Sequence, residues 1–246
     1  MGLVTAAGVG AQILVLLLLG TAVGLGLAGW LAGAAVGAGT CAVLSRALYR
    51  SWPGRTTAFG PANGVTLARA TLVGGVTALI ADSFPGPPPV PAMAGITALA
   101  LLLDAVDGQV ARRTGTASAL GARFDMEVDA FLILVLSVFV AAQLGAWVLL
   151  IGAMRYAFVA AARVLPWLHG PLPPSVARKT VAALQGIMLL VAGTGLLPRL
   201  PAVLLVGLAL TLLTWSFARD IRWLWRVRIG RRVSEESTGA AVYARR

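Results

Sequence analysis

Long apolar stretches alternate with short polar ones along the whole chain. No charged residue occurs between positions 2 and 45. Because roughly 20 helical residues cross the hydrocarbon of a bilayer, this first stretch predicts two helices rather than one. Six further apolar stretches follow. The pattern predicts an all-α membrane bundle of eight helices, near residues 6–25, 29–47, 62–81, 92–112, 120–142, 146–165, 180–196 and 201–218.

Proline-rich and basic segments divide the chain. The stretches 84–91 and 166–174 contain several prolines, which helix interiors exclude, so both predict connections between spans. Arg219 to Arg232 alternates arginine with apolar residues, which is typical of an amphipathic helix at the headgroup level. We expect an N-terminal hairpin, a cytoplasmic linker, a six-helix catalytic membrane domain and a basic interfacial helix with a mobile tail, over 1–50, 51–60, 61–220 and 221–246.

Small residues recur every fourth position in the N-terminal hairpin. Such spacing lets helix backbones approach closely in a bilayer. The pattern fits packing within the chain, and it also fits a dimer contact or a helper hairpin. The residues are Gly20, Gly24 and Ala28, then Gly29, Gly33 and Gly37.

Composition and charge agree with a membrane protein. Hydrophobic residues make up 59% of the 246 residues, charged residues 12%, and the mean hydropathy is +0.87. The net charge of +11 does not indicate nucleic acid, because the basic residues flank the apolar spans. All the basic connections fall on one side, and the other side holds only Arg199 with Asp82. We expect a protein of the cell (plasma) membrane, bacterial in origin, with both termini in the cytoplasm.

Five of the nine acidic residues lie between positions 104 and 129. Asp104 and Asp107 are three residues apart, and Asp125 and Asp129 are four apart, so each pair shares a helix face. Glu127, between the second pair, points away from it. Carboxylates in apolar surroundings are costly unless a cation accompanies them. The sequence therefore predicts a cationic group among these carboxylates.

The cluster indicates phosphoryl chemistry. An acid-rich set of oxygen ligands favours Mg²⁺ or Mn²⁺ over zinc, and two such ions can clamp a phosphoryl group and its leaving oxygen. Gly108 and Ala111 leave room for a ligand, and Arg112 provides a fork that matches phosphate oxygens. We expect a diphosphate ligand, with Asp129 as the general base on an attacking hydroxyl.

The segment from Asp104 to Asp129 resembles the signature of the CDP-alcohol phosphotransferases. That signature, D-x2-D-G-x2-A-R-x8-G-x3-D-x3-D, is matched at every defined position. A second segment, Pro61-Ala-Asn63-Gly-Val-Thr66-Leu-Ala-Arg69, resembles the Pro-Asn-x-x-Thr-x-x-Arg entry to the first core helix of this family, with one extra alanine after Pro61. The resemblance covers residues 60 to 220 and leaves the N-terminal hairpin as an addition.

The resemblance implies a membrane enzyme, commonly a homodimer, that moves a substituted phosphate from a CDP-linked alcohol to a hydroxyl and releases CMP. It implies CDP-diacylglycerol as the donor, in phospholipid biosynthesis. It implies two divalent metal ions on Asp104, Asp107, Asp125 and Asp129, with Asp129 also the catalytic base. The implied CDP-binding residues are Asp107, Gly108, Ala111, Arg112 and Gly121, with Asn63, Thr66 and Arg69 close by.

The acceptor is less constrained by sequence. A lone guanidinium in an apolar span is costly unless it faces an anion or a wet cavity, which makes Arg155 a candidate acceptor ligand. With Arg163, Arg178 and Lys179 it could hold a phosphorylated polyol such as glycerol 3-phosphate or inositol phosphate. The excess of basic residues that cytoplasmic connections of membrane proteins usually carry explains Arg163 and Arg178 equally well.

Other functions stay open at this stage. A cardiolipin-type synthase would use phosphatidylglycerol as the acceptor. A cation-coupled transporter would also carry acids within the membrane, but no second acid cluster occurs in the chain. A membrane prenyltransferase would separate its two acid motifs in sequence, and a non-catalytic scaffold would not need intact acids.

Overall fold

The computed structural model describes the backbone of residues 2–50, 61–84, 88–114, 119–170, 172, 173 and 175–243. Side chains are described for residues 5–46, 64–84, 88–106, 121–170, 172, 173 and 175–229. Eight α-helices and no strand occur within these ranges, so the all-α prediction and the helix count are confirmed. The helices are α1 (Gly2–Val23), α2 (Leu27–Arg50), α3 (Pro61–Asp82), α4 (Val90–Thr114), α5 (Ala119–Leu144), α6 (Leu149–Val164), α7 (Val176–Gly193) and α8 (Arg199–Tyr243).

Seven of these helices are long and apolar enough to cross a bilayer. The exception is α4, in which the described side chains give a shorter apolar helix, Val90–Val106. The polar end of α4 lies in the predicted acid cluster, which accounts for the shorter apolar stretch. A chain with seven such helices is an integral membrane protein.

Helix α3 is the centre of the bundle. It packs against α1, α2, α4 and α5, and its residues Val76, Ala78 and Leu79 are almost fully buried. Helix α5 packs on the other side against α6 and α7, and α7 packs against α8. Polar side chains on the inner face of α3, such as Thr66 and Thr71, are therefore enclosed by protein.

The N-terminal hairpin packs on α3 through its small residues. A side chain added at Gly33 would lie 2.4 Å from Leu16 and 3.2 Å from Ala78, and one at Gly29 would lie 3.0 Å from the carbonyl oxygen of Ala78. The hairpin turns at Gly24, whose φ of +75° is a conformation that favours glycine. These glycines therefore serve contacts within the chain.

A polar contact fixes the turn of the hairpin to the end of α3. The backbone N–H of Gly26 donates to Oδ2 of Asp82 over 3.0 Å. This carboxylate thus satisfies a backbone donor just ahead of α2 (Leu27–Arg50), where helices leave such donors without partners.

Two elements differ from the predicted boundaries. Helix α7 begins at Val176 rather than near 180, because the Ser175 hydroxyl accepts from the Arg178 backbone N–H and caps the helix. Helix α8 continues through the basic stretch to Tyr243 without a break, whereas a separate interfacial helix and a mobile tail were expected. The side chains from residue 230 onward lie outside the described residues.

Contacts with the α6–α7 connection hold the basic stretch of α8 in place. Leu224 is buried with Ala162 and Leu168, at the end of α6 and in the short 3₁₀ turn that follows it. The Trp225 ring meets the Trp167 ring edge-on with centroids 5.4 Å apart, and the Arg228 guanidinium lies over both rings. This packing extends α8 beyond its apolar part.

Candidate active site

Three aspartates and one arginine meet where α3, α4 and α5 come together. Asp104 lies near the polar end of α4, Asp125 and Asp129 lie one turn apart on α5, and Arg69 lies on the face of α3 that meets both helices. The helical spacing that placed the two α5 carboxylates on one face also turns them toward α3. The three helices thus form one polar site inside an apolar bundle.

The Arg69 guanidinium binds all three carboxylates. Its Nη1 lies 2.9 Å from Oδ1 of Asp104 and also contacts Oδ1 of Asp125, and its Nη2 contacts Oδ1 of Asp129. Its Nε donates to the carbonyl oxygen of Ala100 on α4 over 3.3 Å. A cation was expected among these carboxylates, and the described residues provide one, Arg69.

Burial is unequal across the cluster. Arg69 is 1% exposed, whereas the side chains of Asp104, Asp125 and Asp129 are 35%, 33% and 38% exposed. The arginine therefore forms the buried floor of the site, and the carboxylates form its accessible rim. Among the described side chains, the three carboxylates are therefore the part of the site that a ligand can reach.

The three carboxylates fit a metal ion. One ligand atom from each of Asp104, Asp125 and Asp129 lies within 4.8 Å of the others. Carboxylate oxygens are the donors that Mg²⁺ and Mn²⁺ prefer. The fourth predicted ligand, Asp107, is on the same helix as Asp104, but its side chain lies outside the described residues.

The predicted CDP-binding residues are only partly described. The side chains of Asn63, Ala111 and Arg112, and residue Gly108, lie in parts of α3 and α4 beyond the described side chains. Thr66 is buried one turn before Arg69, and Gly121 lies one turn before Asp125 on α5. Both positions therefore adjoin the acid cluster. Arg69 itself faces the carboxylates.

The structure gives Arg155 a partner that the sequence did not reveal. Its Nη2 lies 2.5 Å from Oε1 of Glu127, which joins α6 to α5. The Nε atom of Arg155 is buried and makes no hydrogen bond to any described residue. Glu127 thus faces α6, while its neighbours Asp125 and Asp129 face α3.

Arg178 also has an acidic partner, on α8. Its Nε lies 2.9 Å from Oδ2 of Asp220, and its Nη2 donates to the carbonyl oxygen of Pro173. The Asp220 side chain is 13% exposed and lies 3.6 Å from Nη2 of Arg219. Sequence analysis missed Asp220; the signal was a single acid inside a long basic stretch.

The remaining two candidate acceptor ligands, Arg163 and Lys179, have exposed side chains. Arg163 lies in the last turn of α6 and Lys179 in the first turns of α7. They and Arg178 lie near the α6–α7 connection, whereas Arg155 lies midway along α6. Of the four candidates, Arg155 forms an ion pair with α5, the helix that carries Asp125 and Asp129.

Together, the fold and the site define an integral membrane protein with an acidic cluster that can hold a metal ion. Comparison with protein families then specifies the class: the chain matches the CDP-alcohol phosphatidyltransferase family over residues 59–218, more than half of its length, and belongs to that family. The match begins just before α3 and ends within α8, so the N-terminal hairpin lies outside it. Searches of curated proteins and of solved structures give no match.

Family membership makes this protein a transferase. Such enzymes transfer a phosphatidyl group from a CDP-alcohol to an acceptor alcohol, and they generally use divalent metals. The acidic cluster lies inside the matched range, as a site for this chemistry must.

Proposed function

We propose that this protein transfers the phosphatidyl group of CDP-diacylglycerol to the hydroxyl of a polar acceptor and releases CMP, as a step of phospholipid biosynthesis. One observation carries the proposal: Asp104, Asp125 and Asp129 converge within 4.8 Å inside the family range. Arg69 offsets only one of the three carboxylate charges, so a divalent ion is still favoured at this cluster, and a diphosphate is a substrate that such an ion can bind.

Asp104, Asp107, Asp125 and Asp129 would hold two Mg²⁺ or Mn²⁺ ions. When bound, such ions neutralise charge on the diphosphate and make its phosphorus more electrophilic. The partly exposed rim of carboxylates supports this assignment, because ions and a diphosphate can reach it from the open side.

The reaction at the site is an in-line displacement. The acceptor hydroxyl oxygen forms a bond to the phosphorus that carries diacylglycerol, while the bond from that phosphorus to the CMP oxygen breaks. Asp129 takes the hydroxyl proton, and the negative charge leaves on CMP. Asp129 suits this role because it lies one turn farther into α5 than Asp125.

The CDP moiety would bind along the α4 side of the cluster. We assign this contact to Asp107, Gly108, Ala111 and Arg112, with Gly121 of α5 and with Asn63 and Thr66 of α3. Gly108, Ala111 and Gly121 are small and let the nucleotide approach the helix backbones. Arg112 supplies paired donors for a phosphate.

For the acceptor we propose a phosphorylated polyol, such as glycerol 3-phosphate or inositol phosphate. Arg155 supports this choice, because it lies one helix away from Asp129 and has a buried Nε donor. Arg163 and Lys179 would add positive charge near the α6–α7 connection. Arg178 would contribute less, since Asp220 already neutralises it.

We further propose a homodimer in a bacterial plasma membrane, with the site and both termini facing the cytoplasm. The distribution of arginine supports the orientation. A cytoplasmic site also suits a soluble nucleotide product together with a lipid donor.

Measurement of CMP release from CDP-diacylglycerol by the purified full-length protein tests the proposal. Acceptors to compare are glycerol 3-phosphate, inositol phosphate, inositol, serine and phosphatidylglycerol, each with Mg²⁺ or Mn²⁺. We expect release with a phosphorylated polyol, and Asp129→Asn should lower the rate by about 10²–10⁴-fold because the general base is lost. Asp82→Asn, an acid at the other end of the bundle, should keep the activity.

Three results would contradict this proposal. Equal CMP release by wild type and Asp129→Asn would show that the acidic cluster takes no part in the reaction. Release with phosphatidylglycerol alone would instead favour a cardiolipin-type synthase. Exchange of a solute across liposomes, without any CMP release, would favour a transporter.

A further inference from the structure

Arg69 is held from two sides and cannot easily leave the acid cluster. Its Nε is tied to the carbonyl oxygen of Ala100 on α4, and its two Nη atoms are tied to three carboxylates. The side chain is 1% exposed, and its neighbours on α3, Thr66 and Val73, are equally buried. Because moving a guanidinium through such surroundings is costly, Arg69 stays in place when a ligand arrives.

The contacts with Arg69 occupy one oxygen of each carboxylate. In Asp104, Asp125 and Asp129 the atom that meets the guanidinium is Oδ1. A carboxylate has two oxygens and about four lone-pair positions, so it can bind an arginine and a metal ion together. Arg69 on the buried side and an ion on the exposed side can therefore share the same three carboxylates.

The charges of these four groups do not balance. Three carboxylates and one guanidinium, −3 and +1, leave a net charge of −2. Arg69 therefore offsets only part of the negative charge, and the carboxylates still attract divalent ions. Without Arg69, the same three carboxylates would carry −3 and would attract a cation more strongly.

We infer that Arg69 is a resident counter-ion of the metal site, which keeps the three carboxylates together before a divalent ion binds and weakens the binding of that ion. The inference rests on the proposed metal site. It makes Arg69 a positioning residue, since it acts through Asp104, Asp125 and Asp129 and not on the substrate. Such a residue lets the bundle fold without metal and keeps bound ions exchangeable.

The inference predicts opposite changes in two measured quantities when Arg69 is replaced. Without the counter-ion, the folded protein in EDTA loses stability, because three carboxylates face each other inside the bundle. A divalent ion that binds to the variant offsets this repulsion and restores stability. The variant therefore binds the ion more tightly than wild type does. A residue with only a packing role would lower stability and would leave metal affinity unchanged or weaken it.

The test compares wild type with Arg69→Gln and Arg69→Lys as full-length protein in detergent. Mn²⁺ affinity is measured from the electron paramagnetic resonance signal of free Mn²⁺, and stability from the thermal midpoint in EDTA. For Arg69→Gln we expect a midpoint lower by about 5–15 °C and an affinity higher by about tenfold. For Arg69→Lys we expect changes of the same sign but smaller, because one ammonium keeps the charge without spanning three carboxylates.

Gln185→Leu is the matched control. Gln185 is a buried polar residue whose side chain donates to the carbonyl oxygen of Ala209, away from the cluster. Its replacement should lower the thermal midpoint without changing the Mn²⁺ affinity. This variant separates a general loss of stability from an effect on the metal site.

An unchanged or weaker Mn²⁺ affinity in Arg69→Gln would overturn the inference. If that variant does not fold, Arg69→Lys decides in the same way. Asp129→Asn distinguishes this failure from failure of the proposed function. If Asp129→Asn still binds Mn²⁺ as wild type does, the cluster is not the metal site; if binding is lost while the Arg69 variants bind normally, only the role of Arg69 is wrong.

Discussion

At the residue scale, three acids in one short segment of α5 bind partners on different helices. Asp125 and Asp129 contact Arg69 of α3, and Glu127 contacts Arg155 of α6. The reason is helical geometry, since residues two apart point to different sides of a helix. One segment thereby connects the acidic cluster with Arg155, the cation that we propose for an anionic acceptor.

Arg155→Ala should weaken a phosphorylated acceptor specifically. We expect KM for that acceptor to rise about 10–100-fold, because a hydrogen bond to a charged group contributes about 1.5–3 kcal/mol. KM for CDP-diacylglycerol should not change. Initial rates of CMP release at varied concentrations of each substrate measure both constants. Arg199→Ala, at the start of α8, should leave both unchanged, and an unchanged acceptor KM in Arg155→Ala would count against this assignment.

Glu127→Gln should act on the same acceptor in a milder way. The ion pair is 32% exposed at Arg155 and 53% exposed at Glu127, so its contribution to stability is about 0.2–1 kcal/mol. The larger effect should be on the orientation of Arg155, seen as a higher acceptor KM. When Arg155→Ala is already present, adding Glu127→Gln should not raise the acceptor KM further.

Spacing within a helix could predict the four aspartates but not their partners. The three- and four-residue intervals place each pair on one face, whichever fold is adopted. Arg69 lies 60 residues before Asp129, and Arg155 lies 28 after Glu127. Which helix faces meet across such distances depends on packing of the whole bundle, so neither contact could be derived from local pattern. The resemblance identified Arg69 as a site residue but not its burial beneath the carboxylates.

At the element scale, close contact between α5 and α6 sets the position of Arg155. Gly152, one turn before Arg155, is buried against α5, and a side chain added there would lie 2.6 Å from the backbone Cα of Leu134. A backbone atom cannot move aside as a flexible side chain can. This glycine therefore fixes the distance between the two helices.

Gly152→Ala should force α6 away from α5. We expect a loss of about 1–3 kcal/mol in stability, together with a higher KM for the acceptor because Arg155 moves with its helix. Thermal unfolding and initial rates measure the two effects. Gly207→Ala on α8, where the added carbon would meet nothing within 4 Å, is the matched control and should be neutral or slightly stabilising. Equal behaviour of the two variants would contradict this account of the α5–α6 contact.

The apolar stretches predicted the existence of all eight helices, because length and hydropathy decide whether a segment can span a bilayer. Helix ends were harder to predict. The start of α7 depends on the Ser175 cap, and the continuation of α8 depends on Leu224 packing against Leu168. Both effects involve contacts that a hydropathy window does not contain.

At the scale of the whole molecule, the arginine distribution predicts that the α3–α4 connection and the C-terminus lie on opposite sides of the membrane. The chain contains one cysteine, Cys41, so a cysteine-free background needs only Cys41→Ala. Phe84→Cys then marks the α3–α4 connection, where residue 84 is 61% exposed, and Ser237→Cys marks the C-terminal stretch.

In right-side-out vesicles, a membrane-impermeant maleimide should label Phe84→Cys and not Ser237→Cys. Inside-out vesicles should show the reverse. Labelling of both positions from one side would contradict the proposed topology, and the Cys41→Ala background alone measures unspecific labelling.

Burial of Arg69 also has a consequence for biogenesis. Its farthest carboxylate partner is 60 residues later in the chain, and a ribosome that adds about 5–20 residues per second needs roughly 3–12 s to reach it. During that interval α3 must enter the membrane with an arginine in its first half, which opposes insertion by less than the roughly 2.5–3.5 kcal/mol that applies at a helix centre. Asp104 on α4 is the first carboxylate to arrive. A nascent chain that stops before Asp125 therefore retains this arginine in the membrane with only one of its three carboxylates.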